Sequence, residues 1–241
     1  MIPQTVRAYM AGLFDAEGSI YAGKQNINVR LGNTDPAFPE LFSKYFGGLI
    51  NIATKLKSGK PYYMWNCPMR RVIELATALR PHGHQLRQHF YLASAYVTLV
   101  GRNSSRRESI REKIRKLTKV EYSLKNLPRR NPFSKTMLAY LAGLMDGDGY
   151  IRPKPCRYFT LTSTCPDLLK WLQNHYNGVI RQTKMKKNKQ SYEWRLRVKE
   201  AEKVLPYLIS HLRAKKDMAH RYLKDSSTTT SLPESTFSQM I

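Results

Sequence analysis

Four carboxylates stand where so basic a chain would not casually place them. Residues 9–20 read YMAGLFDAEGSI and residues 140–151 read YLAGLMDGDGYI, and each stretch ends an apolar run with two acids one residue apart, Asp15 with Glu17 and Asp146 with Asp148. The end of a helix carries partial negative charge, so carboxylates there are electrostatically disfavoured. A lone pair of this kind reads as turn caps or lysine partners; the same arrangement twice calls for compensation. A hard divalent cation supplies it, because Mg²⁺ takes oxygen ligands from one or two carboxylates and from phosphate oxygens. Ala8-x-x-x-Gly12 and Ala139-x-x-x-Gly143 put small residues one helical turn apart on one face, which lets two helices approach closely. Paired in that way, both acidic ends reach one place, and a two-metal phosphodiester site follows.

The elements that must hold these acids repeat as well. Seven of the twelve motif positions are identical. Pro36 then answers Pro166, Gly48 answers Gly178 and Trp65 answers Trp194, with only short gaps, so the chain is a tandem of two similar halves. Helices are expected over Pro3 to Phe14 and Ser134 to Met145, with Ser134 as N-cap and glycines (Gly18, Gly147 and Gly149) turning the chain after them. Period-two alternation follows: Ile27, Val29 and Leu31 on one face against Asn28 and Arg30, then Phe159 and Leu161 against Tyr158 and Thr160. Strand pairs are expected over 49–57 with 61–69 and 179–187 with 190–198, and helices near 70–80, 84–100, 200–212 and 215–224. The expected domains are 1–125 and 134–225, joined by a linker at 126–133 and followed by a loosely attached tail from 226.

Composition narrows the partner. Of 241 residues, 41 are Lys or Arg and 17 Asp or Glu, a net charge of +24 in a chain whose 41% hydrophobic content is that of a folded globule. A polyanion is the commonest partner of such an excess, since each neutralised phosphate releases condensed counterions. Cys67, Cys156 and Cys165 show no CxxC pair, so neither a disulfide framework nor a zinc site is indicated. No apolar run approaches the ~20 residues of a membrane span, and MIPQTVRAYM has no signal pattern. A soluble intracellular protein without membrane contact is expected. His82 and His84 suggest a loop or phosphate contact rather than zinc, and Trp65 and Trp194 fall on the apolar face as core.

MAGLFDAEG (10–18) and LAGLMDGDG (141–149) resemble the motif for which LAGLIDADG homing endonucleases are named, and the resemblance covers the chain apart from linker and tail. It implies an α+β fold of two pseudo-symmetric αββαββα domains, with the motif helices at the interface and antiparallel sheets forming a saddle on double-stranded DNA. It implies a monomeric, metal-dependent endonuclease that hydrolyses both strands of a long, pseudo-palindromic site, using Mg²⁺, with Mn²⁺ able to substitute and Ca²⁺ supporting binding only. Glu17 and Asp148 would be the essential metal ligands, assisted by the carbonyls of Ala16 and Gly147, while Asp15 and Asp146 would hold the turn. The resemblance also implies a basic residue before the last helix of each half: Lys215 fits in the second, while the first departs from the pattern and offers the uncharged Gln85, with Arg87 two residues on. A polar residue at the end of the second strand would be Asn33 or Ser163. Glu17 stands where Asp is commoner, a change expected to loosen that ligand. The family places such a protein with its DNA, in a mitochondrion or chloroplast ahead of a prokaryotic cytoplasm. Two alternatives use the same fold: an intron maturase with host intron RNA as partner, and a catalytically silent DNA-binding protein.

The saddle assigns the sheet faces. In the first half Tyr21, Gln25, Asn28, Arg30, Asn51, Lys55 and Asn66 would face base edges or phosphates. In the second half Arg152, Lys154, Tyr158, Thr160, Arg181, Thr183, Glu193, Arg195 and Arg197 would do so. Arg suits guanine and Asn suits adenine by bidentate geometry. Lys57, Lys60, Lys186 and Lys187, in the turns, would touch phosphate.

Overall fold

A computed structural model describes residues 1–24, 26–55, 59–102, 104–117, 131–183 and 190–227. The first half runs α1 (Gln4–Glu17), β1 (Gly18–Ala22), β2 (Ile27–Asn33), α2 (Ala37–Phe46), β3 (Leu49–Lys55) and β4 (Pro61–Asn66). It closes with α3 (Val72–Leu79) and α4 (Arg87–Thr98). The second repeats it as α6 (Lys135–Asp148), β5 (Gly149–Arg152), β6 (Tyr158–Ser163), α7 (Pro166–Tyr176), β7 (Val179–Gln182) and β8 (Tyr192–Leu196), then α8 (Val198–Leu208) and α9 (Lys216–Ser227). Between them α5 (Ser104–Leu117) packs on α4 and β1, so this charged helix belongs structurally to the first half. Each sheet is antiparallel and four-stranded, in the orders β1-β2-β4-β3 and β5-β6-β8-β7.

Alternation fixes which face of each sheet is covered. Ile20, Ile27, Val29, Leu31 and Trp65 are buried on one side of the first sheet, and Ile151, Phe159, Leu161, Trp194 and Leu196 on the matching side of the second. The helices α2 and α7 bury Phe38, Phe42 and Phe46, and Leu168, Leu169 and Leu172, against those faces. The two tryptophans are core residues that also pin a helix end. Trp65 Nε1 donates to Gly47 O at 2.7 Å and Trp194 Nε1 to Asn177 O at 2.8 Å. Gly48 and Gly178 follow at φ +98° and +93°, where side chains are disfavoured.

The motif helices run three residues further than expected, to Glu17 and Asp148, and pass straight into β1 and β5. Gly18 and Gly149 have extended φ of −81° and −80°, so they are not left-handed turns. They are required for space: a Cβ on Gly18 would lie 2.4 Å from Phe14 O, and one on Gly149 2.6 Å from Met145 O. Gly147, expected to help turn the chain, lies inside α6, where a Cβ would meet the Ala16 Cβ at 2.5 Å. Ser134 caps α6 as expected, accepting from Met137 N at 3.3 Å. The helix α9 extends through Ser227, two residues into the stretch expected as tail. Residues 126–130 of the expected linker and 228–241 of the tail lie outside the described residues, as do the tips of the hairpins expected at 49–69 and 179–198.

The two halves meet along α1 and α6. Ala8, Ala11, Ala139 and Ala142 are buried there, and the glycines bring backbone onto backbone. A Cβ on Gly12 would sit 2.0 Å from Tyr140 O, and one on Gly143 2.1 Å from Tyr9 O. The opposing atoms are main chain and cannot rotate away, so Gly143→Ala or Gly12→Ala must push the helices apart. Each substitution is expected to destabilise the protein by roughly 1–3 kcal/mol or more in denaturant unfolding. Full stability in either variant would mean that the helices do not touch in this way.

Candidate active site at the motif-helix ends

On a helix, side chains two residues apart point about 200° away from one another. Asp15 therefore turns into the protein while Glu17 turns toward the open end of the helix pair, and Asp146 and Asp148 divide in the same way. Asp15 and Asp146 are buried, at 4% and 3% exposed. Asp15 accepts four hydrogen bonds: from the main-chain N–H of His84 (2.7 Å), Gln85 (3.1 Å) and Leu86 (2.8 Å), and from Tyr140 Oη (2.8 Å). Asp146 accepts from Arg213 N (2.8 Å), Lys215 N (3.0 Å) and Tyr9 Oη (2.8 Å). These acids were expected to hold the turn after their own helix. They instead anchor the loop before the last helix of their half and receive a tyrosine from the opposite motif helix.

The exchange is reciprocal, and rings flank it. The Arg213 guanidinium lies 4.7 Å from the Tyr9 ring centroid, and the His84 ring meets Tyr140 edge-on at 4.6 Å and Trp171 at 4.0 Å. His82 and His84, read from the sequence as loop residues or phosphate contacts, lie in that loop and are buried, at 6% and 3% exposed. The loop turns inward because Asp15 draws in its N–H groups. Burial, then the charge of Asp146, pushes the Tyr9 phenol far above its ordinary pKa. Burial also raises Asp15, against the pull of its four donors.

The same bonds align the two loops. His84 and Leu86 occupy the places of Arg213 and Lys215, so the residue equivalent to Lys215 is Leu86, and Gln85 answers Ala214. Gln85, expected as the first half's counterpart of Lys215, is corrected accordingly: that position is apolar and 7% exposed. Lys215 Nζ donates to Met145 O and Asp146 O, both at 2.6 Å, and reaches Gly147 O at 3.5 Å. It neutralises the negative end of α6, supplying by ammonium part of the compensation that the four acids demand.

Glu17 and Asp148 end their helices beside one another. A Cβ on Gly147 would lie 3.3 Å from Glu17 Cγ. Asn33 Nδ2 donates to Glu17 Oε1 at 2.8 Å, so the longer side chain, expected to be loose, is pinned. Asn33 is itself fixed, its Oδ1 accepting from Asp35 N at 2.9 Å. Among the described residues Ser163 makes no such bond to Asp148; its hydroxyl accepts from Cys165 N at 3.1 Å. Burial raises the Glu17 carboxyl, while Lys215 and Asn33 oppose the shift. Asp148 is open to solvent along one side and crowded by the helix ends on the other; that crowding, then the charge of Glu17, pushes it up to about 7 against the pull of Lys215. Burial lowers Lys215, and Asp146, Asp148 and Glu17 raise it. Two neighbouring carboxylates with, among the described residues, a single lysine beside them are under-neutralised. Among the described residues no group of three His, Cys, Asp or Glu side chains gathers. A cation here would draw on two carboxylates, main-chain carbonyls of the helix ends and oxygens from outside the chain, a donor set that fits a hard dication.

The sheet faces away from the helices carry most of the expected contact residues. Tyr21, Arg30 and Asn51 are exposed and Asn28 and Asn66 half-buried on the first; Arg152, Arg181 and Arg197 are exposed beside the second, with Lys154 in the loop after β5. Thr160 is corrected: it is 5% exposed, between Tyr150 and Arg195 on neighbouring strands. Thr183 spends its hydroxyl on Ser191 O at 2.9 Å. Arg195 donates from Nε and Nη2 to Glu193 Oε1 at 3.2 and 2.9 Å and lies 4.6 Å from the Tyr158 ring centroid. Gln25, Lys57, Lys186 and Lys187 and the side chain of Lys55 lie outside the described residues; Lys60 is exposed. Sequence reasoning missed Tyr9 and Tyr140, though both open the repeated motif, and Tyr62, whose hydroxyl packs over Gly32 near the charge of Glu17.

Because each tyrosine hydroxyl serves a buried carboxylate across the interface, Tyr9→Phe and Tyr140→Phe are each expected to cost about 1–3 kcal/mol in denaturant unfolding. Tyr150→Phe, on an exposed side chain, should change stability by less than about 0.5 kcal/mol. Equal behaviour of the three would deny the bridges any structural weight.

Residues 4–114 and 135–209 match the LAGLIDADG-like domain family, one motif helix falling in each segment. No curated protein sequence matches the chain. The fold is similar to that of the LAGLIDADG meganuclease I-AabMI bound to uncleaved DNA, at 18% identity over 95% of this chain and 94% of that one, with a TM-score of 0.65. It is also similar to the I-LtrWI homing endonuclease bound to target DNA, at 18% identity, 94% and 91% coverage and a TM-score of 0.63. For the meganuclease I-CpaMI bound to uncleaved DNA the values are 12%, 93% and 92%, and 0.60. With both motif helices, both sheets and the matched segments in register, the chain belongs to the LAGLIDADG family, in its two-motif, single-chain form.

Proposed function

We propose that the protein is a site-specific, metal-dependent endonuclease that cuts double-stranded DNA at the junction of its two halves. The observation that carries this reading is the meeting of Glu17 and Asp148 at the ends of the paired motif helices, beside one lysine and between two exposed polar sheet faces. The net charge of +24 supplies the attraction for a polyphosphate, and the DNA-bound relatives support the choice of duplex DNA.

Glu17 and Asp148 would hold Mg²⁺ or Mn²⁺, with the carbonyls of Ala16 and Gly147 as additional ligands. When bound, a divalent ion supplies Lewis acidity and a more acidic water at the phosphodiester. The chain's own residues do the rest. Asn33 fixes the direction in which Glu17 presents its carboxylate. Lys215 ties down the end of α6 and holds positive charge beside both acids, where a phosphate must arrive. Hydrolysis adds a water oxygen to phosphorus and releases a sugar oxygen, which takes a proton. Among the described residues nothing on the Leu86 side matches Lys215, and nothing on the Ser163 side matches the grip of Asn33 on Glu17, so the two strands would meet unequal surroundings.

In a supercoiled-plasmid assay carrying the target, cleavage should require Mg²⁺ or Mn²⁺, stop in excess EDTA and leave binding intact in Ca²⁺. Glu17→Gln and Asp148→Asn should each lower cleavage by at least about 100-fold while Ca²⁺-dependent binding stays within a few-fold of wild type. Full activity in either variant would remove that acid from the site. The unequal surroundings further predict that wild-type protein accumulates nicked circles before linear product, and that Lys215→Met deepens the nicking. Linear product appearing with no nicked intermediate would contradict that asymmetry.

A further inference from the structure

We infer that the two halves of the DNA target differ in base content, an adenine- and thymine-rich half lying under the first sheet and a guanine-rich half under the second. This rests on the duplex-binding reading above and goes beyond it to what the site must contain.

Strand register makes the outward positions of the two sheets directly comparable. Arg30 pairs with Asn66 as Thr160 pairs with Arg195, while Leu31 with Trp65 matches Leu161 with Trp194 one step along in the core. Asn51 opposite Met64 matches Arg181 opposite Glu193. The chemistry at these matched places is not the same. Asn66 is exchanged for Arg195 and Asn51 for Arg181, so amides on β3 and β4 become guanidiniums on β7 and β8. Met64 becomes Glu193. Nor is the lone arginine of the first sheet's outward rows repeated, since Arg30 answers the buried Thr160.

Each type reads a different base edge in the major groove. An amide pairs bidentately with adenine N6 and N7, a guanidinium with guanine O6 and N7, and a carboxylate accepts from cytosine N4. Apolar side chains meet the thymine methyl. Half-buried Met64 beside Asn51 is such a group where the second sheet has Glu193, and Leu49, 72% exposed on the row of Arg30 and Asn66, stands further out than its apolar counterpart, the half-buried Val179 beside Arg195. A large apolar side chain held out on an otherwise polar row gains nothing from water and fits a methyl-bearing groove. In the second sheet Arg195 is already oriented, with its Nε–Nη2 edge on Glu193 and its plane against Tyr158, which lowers the ordering cost of a directional contact. The target therefore departs from palindromy at the positions read by Asn51 and Arg181 and by Asn66 and Arg195.

The test is selection of intact protein, in Ca²⁺, on a duplex library randomised across both half-sites, followed by sequencing of bound duplexes. One half of the recovered site should be rich in guanine contacts and the other in A·T pairs. Selection with the Arg181→Asn/Arg195→Asn variant should convert guanine to adenine at one or two positions of the guanine-rich half only, with about a tenfold change in preference at each. Both residues lie on the outer sheet face, and a thermal melt of the variant checks that it is folded. Equal base content in the two halves, or an effect of the variant on the A·T-rich half or uniformly on all duplexes, would overturn the assignment. Failure to enrich any duplex would overturn the duplex-binding reading itself and the inference with it.

Discussion

The molecule depends on a helix pair packed closely enough that each side's tyrosine reaches the other's buried aspartate. Gly12 and Gly143 remove the side chains that would separate the backbones, and Tyr140 and Tyr9 then close 2.8 Å hydrogen bonds to Asp15 and Asp146. A buried carboxylate without partners is costly, so each aspartate also collects main-chain N–H groups from the loop ahead of its last helix. One set of bonds thereby ties the two halves together and orders the segments carrying Leu86 and Lys215. It also leaves the other acid of each motif, Glu17 or Asp148, facing the opposite way at the shared end. The division of labour within each acidic pair follows from helical geometry alone.

On this nearly symmetric frame the site is unsymmetric. Glu17 is long, partly enclosed and held by Asn33; Asp148 is short, more open, and receives no hydrogen bond among the described residues. Among the described residues one lysine, Lys215, places charge beside both, and the matched place in the first half is leucine. A two-chain assembly of identical halves could not carry these differences. Fusing the halves in one chain permits them, and the outer sheet faces, with asparagines on one side where arginines stand on the other, diverge in the same way.

Much of the frame was legible in the sequence because repetition is a signal that one chain carries within itself. The doubled motif gave the helix pair, and the period-two runs gave the strands, since Trp65 and Trp194 could sit only on an apolar face. What escaped depended on distance in space. The hydroxyls of Tyr9 and Tyr140 lie more than a hundred positions from their acceptors, and no local pattern marks such a bond. The pairing of Lys215 with Leu86 instead of Gln85 became visible only once backbone bonds to Asp15 and Asp146 fixed the alignment of two loops that differ in sequence. Thr160 alternates correctly as an outward residue, yet its neighbours across the sheet cover it, which alternation cannot foresee.

Glu17 and Asp148 are proposed to form one cation-holding site at the phosphodiester. Diffraction at the manganese absorption edge, from crystals of the protein with a bound duplex and Mn²⁺, tests it most directly. Anomalous density is expected between the Glu17 and Asp148 carboxylates and the phosphates of the duplex, with Lys215 beside it. Manganese bound elsewhere, or a duplex seated away from the ends of the motif helices, would contradict it.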